Sequence, residues 1–220
     1  MIKEYSVAAD KKGKLNMSLG DAIYSLRAIR RIKPDPIPEV DLWTILDAAR
    51  QAPNGSNQQD WHFIVMRDPE VKRKFGRIYR KAWWAKRNDA GFFNPEDLPG
   101  HFKSPMGLAD VIGESPVIVL VCATSSGFRE SVIPATQNLL LSARALGIGG
   151  TITSLHSSVA DDVRELLEIP ESVDVVYCLP LGYPRGNFGP VTRKPLTEVV
   201  SVDSWGGSSD LTSGGEAITD

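Results

Sequence analysis

Apolar and polar positions alternate along this chain in two distinct ways, and the two patterns predict two kinds of element. Short runs rich in β-branched and aromatic residues read as strands at residues 62–67, centred on Phe63, Ile64 and Val65, and at 116–124 and 173–181. The run at 116–124 is apolar at nearly every position, which predicts a strand buried on both faces. Residues 151–155 predict a further short strand. The spaced patterns read as helices. Ser18-Leu19-Gly20-Asp21 has the form of a capping box, with a hydroxyl followed three residues later by a carboxylate. A helix is expected from there to about Arg30, before Lys33-Pro34-Asp35-Pro36-Ile37-Pro38 breaks it. A second helix is expected over about 39–51, with Val40, Trp43, Leu46 and Ala49 as its core stripe. Pro69 suits the first turn of a third, running to about Asp89. Residues 131–146 predict a fourth, apolar nearly all round, which places it in a core or an oligomer interface. Gly147, Gly149 and Gly150 end it. A fifth, over 160–168, stops before Pro170.

Three stretches carry no such pattern. Residues 1–17 read as a flexible arm and 206–220 as a Gly/Ser-rich, disordered tail, leaving 18–205 as the ordered domain. Residues 90–112 are rich in Gly, Pro and Phe without clear periodicity, as functional loops and lids often are. Strands and helices are mixed along the chain, so the class is α/β or α+β.

Composition narrows the function. The 220 residues are 42% hydrophobic and 24% charged, with a formal net charge of −2, an ordinary globular balance that requires neither nucleic acid nor a lipid surface. No apolar run approaches the roughly 18–20 residues of a membrane span, and the polar N-terminus lacks the apolar core of a secretion signal. Cys122 and Cys178 both lie in strand-like runs and are expected as buried thiols in a reducing cytoplasm.

The usual catalytic constellations are missing. His62, His101 and His156 stand in no metal-ligand spacing, neither cysteine has a CxxC partner, and no hydrolase elbow, P-loop or dinucleotide-binding glycine fingerprint occurs. Four separated segments stand out instead. Arg27, Arg30 and Arg31 fall within five residues, suited either to phosphate or to the C-terminal dipole of a helix. Ala52-Pro53-Asn54-Gly55-Ser56-Asn57-Gln58-Gln59-Asp60-Trp61 is dense in amides that could read a heterocycle edge, or is simply a loop. Residues 146–155 bring glycines before Thr153, Ser154 and Leu155, either to let backbone approach a ligand or only to stop a helix. Arg193-Lys194-Pro195 forms a second basic cluster. The helix beginning at Pro69 carries eight cations, among them Lys72 and Arg87. That is a solvated face with Phe75, Ile78 and Tyr79 turned inward, or a surface for nucleic acid or an anionic cofactor.

Taken in order, these segments resemble the nitroreductase family. Leu26-Arg27-Ala28-Ile29-Arg30, followed by the Pro-rich stretch, resembles that family's Arg-Arg-Ser-x-Arg. Residues 52–61 resemble its Ala-Pro-Ser-x-x-Asn-x-Gln-Pro-Trp, residues 137–149 its Gln-Asn-Leu-Leu-Leu segment, and Arg193-Lys194-Pro195 its C-terminal basic pattern. Leu26, Ala28, Asn54 and Asp60 depart from it. The resemblance implies an α+β fold, with a mixed central sheet flanked by helices, in an intertwined homodimer that binds FMN at the subunit interface. Carried over by position, Arg27 and Arg193 would hold the phosphate, Ala28 would lie beside it, and Arg30 would sit at the pyrimidine edge of the flavin. Thr153, Ser154 and Leu155 would line the ring, the last two presenting backbone N–H near N5. Pro53, Asn54, Gly55 and Asn57 would come from the other subunit. The implied activity is ping-pong hydride transfer from NADH or NADPH through N5 to a nitroaromatic or quinone, with residues 90–112, including Phe92, Phe93, His101 and Phe102, and with them Trp83 and Trp84, choosing the acceptor. Reductive dehalogenation, a deazaflavin in place of FMN, flavin storage and nucleic-acid binding are the competing expectations.

Overall fold

The structure is a computed structural model describing residues 14–208, so the expected arm and tail fall for the most part outside the described residues. Residues up to Gly189 form one unit and those from Pro190 a second. The first runs α1 (Leu19–Ser25), α2 (Glu39–Ala49), β1 (Trp61–Met66), α3 (Pro69–Asn88), α4 (Gly100–Val111), β2 (Val117–Ala123), α5 (Val132–Ala145), β3 (Gly149–Gly150), α6 (Ala160–Leu167) and β4 (Asp174–Gly182). The sheet order is β1-β2-β4-β3, and every pair among the described residues is antiparallel, where a mixed sheet was expected. The second unit holds a short 3-10 turn, Leu196–Glu198, with Lys194 Nζ 3.9 Å from Glu198 Oε2.

β2 explains the layering. All seven of its residues are buried, and side chains alternate across a strand. Val117, Val119, Val121 and Ala123 face one core with Leu42, Ile45 and Ala49 of α2 and Leu139 and Ala143 of α5. Ile118, Leu120 and Cys122 face the other, with Phe75, Tyr79 and Trp83 of α3 and Leu108 of α4. An antiparallel strand therefore carries the continuous apolar run usual in parallel sheets, because helices cover both faces. Cys122 and Cys178 are free and wholly buried. Burial pushes the Cys122 thiol up to about 12 and Cys178 higher still, so both stay protonated.

Several expectations are corrected by tertiary contacts. Half of the capping box forms: Ser18 Oγ accepts from the Asp21 N–H at 3.0 Å, but the Asp21 carboxylate accepts from the Ser18 hydroxyl at 2.8 Å instead of from its backbone N–H, and α1 ends at Ser25 rather than near Arg30. The core stripe of α2 is Leu42, Ile45 and Ala49, while Val40 and Trp43 are exposed. Steps of three residues each turn about 300° on a helix of 3.6 residues per turn, so four such positions sweep half its circumference and cannot share one face. Lys72, counted among the outward cations of α3, is buried and donates to the carbonyls of Ser115 (2.8 Å) and Pro116 (2.9 Å), tying α3 to the entry of β2. The strand expected at 151–155 is only a bridge between Thr153 and Cys178, followed by a 3-10 turn over Leu155–Val159. Residues 100–111 form a helix that Pro105 in its interior had concealed. No helix among the described residues is long and apolar enough to cross a membrane.

Candidate functional site

The chain after α1 leaves helical geometry at Leu26 (φ −67°, ψ 122°) and becomes an extended strap laid along the β3–β4 edge. Leu26 packs against the first core, so the position where the resemblance expects a first arginine is occupied by an apolar contact. Ile29 is buried and donates its N–H to Gly150 O at 2.8 Å, and Lys33 donates to Tyr183 O at 2.7 Å. Gly147, at φ +74°, closes α5: its N–H bonds to Arg144 O and that of Ile148 to Ala143 O, the paired bonds of a Schellman cap. Gly149 follows for a different reason. A Cβ there would lie 2.7 Å from Ile29 Cγ1, so the close approach that glycine permits is made by the chain's own strap.

That approach carries Arg30 into a cleft of about 310 Å³. One wall is Arg30 with residues 151–155; the other is Tyr79, Trp83, Lys86 and Arg87 of α3 with Pro105 and Leu108 of α4. Tyr79 Oη lies 2.6 Å from Thr153 Oγ1, which also accepts from the Leu155 N–H at 3.3 Å. Burial pushes the Tyr79 phenol up to about 12, so it is protonated at neutral pH and holds Thr153 in place. The lining contains three cations and no carboxylate. Such a cleft suits a ligand rich in acceptor atoms and bearing negative charge, which is the character of a phosphorylated flavin. A second cleft of about 380 Å³ shares Arg30 and Leu108 and adds Arg31, Lys103, Arg185 and Glu114.

Of the residues singled out in the sequence, Arg30, Thr153, Ser154 and Leu155 are thus brought together. Arg27 and Ala28 lie on the same strap, both exposed. Pro53, Asn54, Gly55 and Asn57 do not line this cleft. They form a loop before β1, where Asn54 Oδ1 accepts from Gln59 N at 2.9 Å and Gly55 N donates to Ser131 Oγ at 3.3 Å. Ser56, Asn57 and Gln59 all have positive φ, near 50–56°, a left-handed conformation costing on the order of 1–3 kcal/mol per non-glycine residue and concentrated at binding sites. Arg193 belongs to the second unit, where Nη1 donates to Thr192 O at 3.0 Å.

The sequence reading did not place Tyr79, Lys86 and Arg87 at the cleft. The signal was present, since Tyr79, Trp83 and Arg87 recur at intervals of four and share one helical face. Of the cations of α3, Arg77, Arg80 and Lys81 line one surface cleft and Lys86 and Arg87 the cleft described above. Lys72 is buried, Arg80 pairs with Asp110 at 2.7 Å, Lys74 lies 3.7 Å from Glu70, and Arg87 stacks on aromatic rings. From residues 90–112, Pro105 and Leu108 line the cleft, while Phe93 and His101 are exposed and Phe102 packs with Phe92 and Trp83.

The chain resembles known proteins over most of its length. The family model described as the nitroreductase family matches residues 23–183. A protein of Methanothermobacter thermautotrophicus with the provisional name NADH dehydrogenase/NAD(P)H nitroreductase is 31% identical over 186 residues, covering 80% of this chain and 83% of its own. An iodotyrosine deiodinase of Thermotoga neapolitana is 28% identical, covering 83% of this chain and 95% of its own. Among solved structures, an iodotyrosine deiodinase bound to FMN and 3-iodo-L-tyrosine superposes with a TM-score of 0.71 at 24% identity, over 86% of this chain and all of the other. With helices on both faces of its sheet and the strap and glycine run meeting at one cleft, this chain belongs to the nitroreductase family.

Proposed function

We propose that this protein is an FMN-dependent oxidoreductase that moves hydride from NADH or NADPH to a small electrophilic acceptor, such as a nitroaromatic or quinone, and that it acts as a homodimer. The observation that carries this reading is the Ile29–Gly150 hydrogen bond, which sets Arg30 against Thr153–Leu155 in a cleft walled by cations. FMN, when bound, supplies the redox chemistry, taking up and releasing two electrons with a hydride.

The protein's part is binding and electrostatics. Arg27 and Ala28, exposed on the strap, would receive the phosphate end. Arg30 would face the ring and favour negative charge on it. Ser154 would present its backbone N–H to its edge, beside Thr153, whose Oγ1 takes the Leu155 N–H and is braced by Tyr79. Trp83, Pro105 and Leu108 would keep water from the opposite side. No side-chain acid or base is required, since a proton can come from water.

The dimer accounts for two further observations. Leu19, Ile23 and Tyr24 of α1, Val40 and Trp43 of α2 and Ile133 of α5 are exposed, an apolar face of the kind that marks an association surface. The loop carrying Pro53, Asn54, Gly55 and Asn57 holds backbone strain without lining its own cleft, as expected if it completes the cleft of a second copy. The buried, unpaired thiols suit a cytoplasmic location.

The test is direct. The purified protein should be yellow, elute as a dimer, and bleach anaerobically with NADH or NADPH. A turnover panel of nitroarenes, quinones and halophenols then identifies the acceptor; the deiodinase relatives are the reason to include the halophenols. A colourless monomer that cannot be loaded with FMN overturns the proposal.

A further inference from the structure

Arg87 occupies an unusual position in the cleft. Its guanidinium carbon lies 4.1 Å from the Trp83 ring centroid and 4.3 Å from that of Phe102, in the corner formed by two rings whose planes meet at 77°. No carboxylate is paired with it among the described residues, and none lines the cleft. Its Nε and the Nε1 of Trp83, a side chain 4% exposed, are buried N–H donors without an acceptor. Buried donors are normally satisfied, and leaving one unmade is costly. Two orphans four residues apart on one helical face, beside a second cation at Lys86, therefore ask for an acceptor from outside the chain. They line the same cleft as Arg30 and Thr153–Leu155 but stand on a different element, α3. Stacking on two rings holds the guanidinium in place, and an Arg held in place takes a carboxylate through two parallel bonds.

We propose that Arg87, oriented by Trp83 and Phe102, is a specificity-determining residue that selects acceptors bearing a carboxylate. This rests on the cleft being the place where the acceptor docks. Lys86 adds long-range attraction, and Trp83 Nε1 is the second donor in reach of the same wall.

Equilibrium binding to the oxidised, purified protein tests the inference without turnover. Isothermal titration calorimetry compares 4-nitrobenzoate with its neutral analogue 4-nitrobenzyl alcohol. The expected result is an affinity about tenfold higher for the benzoate in the parent protein, the scale of one charge-assisted pair. Arg87→Gln should abolish the preference while the Kd of the alcohol stays within twofold. Arg87→Lys, which keeps the charge but loses the planar fork, should retain only part of it and serves if the glutamine variant does not fold. Equal binding of the two probes to the parent protein overturns the proposal. So does an Arg87→Gln variant that keeps the preference, or one that instead loses FMN, because the guanidinium would then serve the cofactor. Calorimetry reads the preference whether or not the protein is yellow, so failure here is separate from failure of the flavin assignment.

Discussion

Ile29 fills the volume that a side chain at position 149 would need: a Cβ built on Gly149 falls 2.7–2.9 Å from Ile29 Cγ1, Cβ and Cγ2. The same residue hydrogen-bonds Gly150, so the strap can neither retreat nor rotate without losing that bond. Gly149→Ala is expected to destabilise the protein by about 1–3 kcal/mol, the cost of overpacking a filled site, and to weaken FMN binding by displacing Arg30. The double variant Ile29→Gly/Gly149→Ala should be less damaged than the sum of the two single changes, since only loss of Ile29 Cβ along with its branch clears the space. Urea unfolding of the four proteins reads the coupling; strictly additive effects would show that the two residues do not compete for space.

Tyr79 and Thr153 join the two walls of the cleft through a 2.6 Å hydrogen bond. Tyr79→Phe should cost about 1 kcal/mol, a typical hydrogen bond's net worth, and loosen the backbone at 153–155. It also predicts an alkaline signature. The phenol ionises near 10 in the unfolded chain and at about 12 in the folded one. Between those values the unfolded state releases a proton that the native state keeps, so the stability present below pH 10 is lost as pH rises toward 12, by up to about 1.4 kcal/mol per pH unit. Comparing parent and Tyr79→Phe unfolding from pH 9 to 11.5 isolates this slope; parallel curves would contradict the burial of the phenol.

His156 is buried to 1% exposure, with Nε2 3.0 Å from Val175 O and Nδ1 unpartnered among the described residues. Burial holds its pKa below the usual 6.5. Above pH 6.5 both states are neutral and nothing is lost. Below it the unfolded chain takes up a proton that the native state resists, so stability falls as pH drops from 6.5 toward the folded value, again at no more than about 1.4 kcal/mol per unit. His156→Gln, which keeps a donor for Val175 but cannot titrate, should flatten the profile between pH 7 and 5. A variant with the parent's slope would assign the acid sensitivity to another group.

Much of this protein was legible in the pattern of its residues. β2 and α5 lie within a residue or two of their expected bounds, because a long unbroken apolar run has few places to go except a doubly covered strand or a central helix. Ser18 caps α1 as its local chemistry dictates, and the glycines after α5 ended it. The amide loop was singled out from residue order alone; Arg27, Arg30 and Arg31 were too, but as the end of a helix rather than as an extended strap. The sequence did not show that Tyr79, Trp83 and Arg87 face the same space as Thr153, since nothing local connects α3 with that bridge. Nor did it show that Lys72 turns inward to two carbonyls.

The chain's own sequence determined the local elements and the family pattern, because caps, prolines, glycines and hydrophobic period act over a few residues. Tertiary structure alone decided where α1 stops, which face of α2 is buried and which cations share a cleft. Each of those depends on a partner distant in sequence: Gly150 for Ile29, the core for Leu42 and Ile45, and two aromatic rings for Arg87.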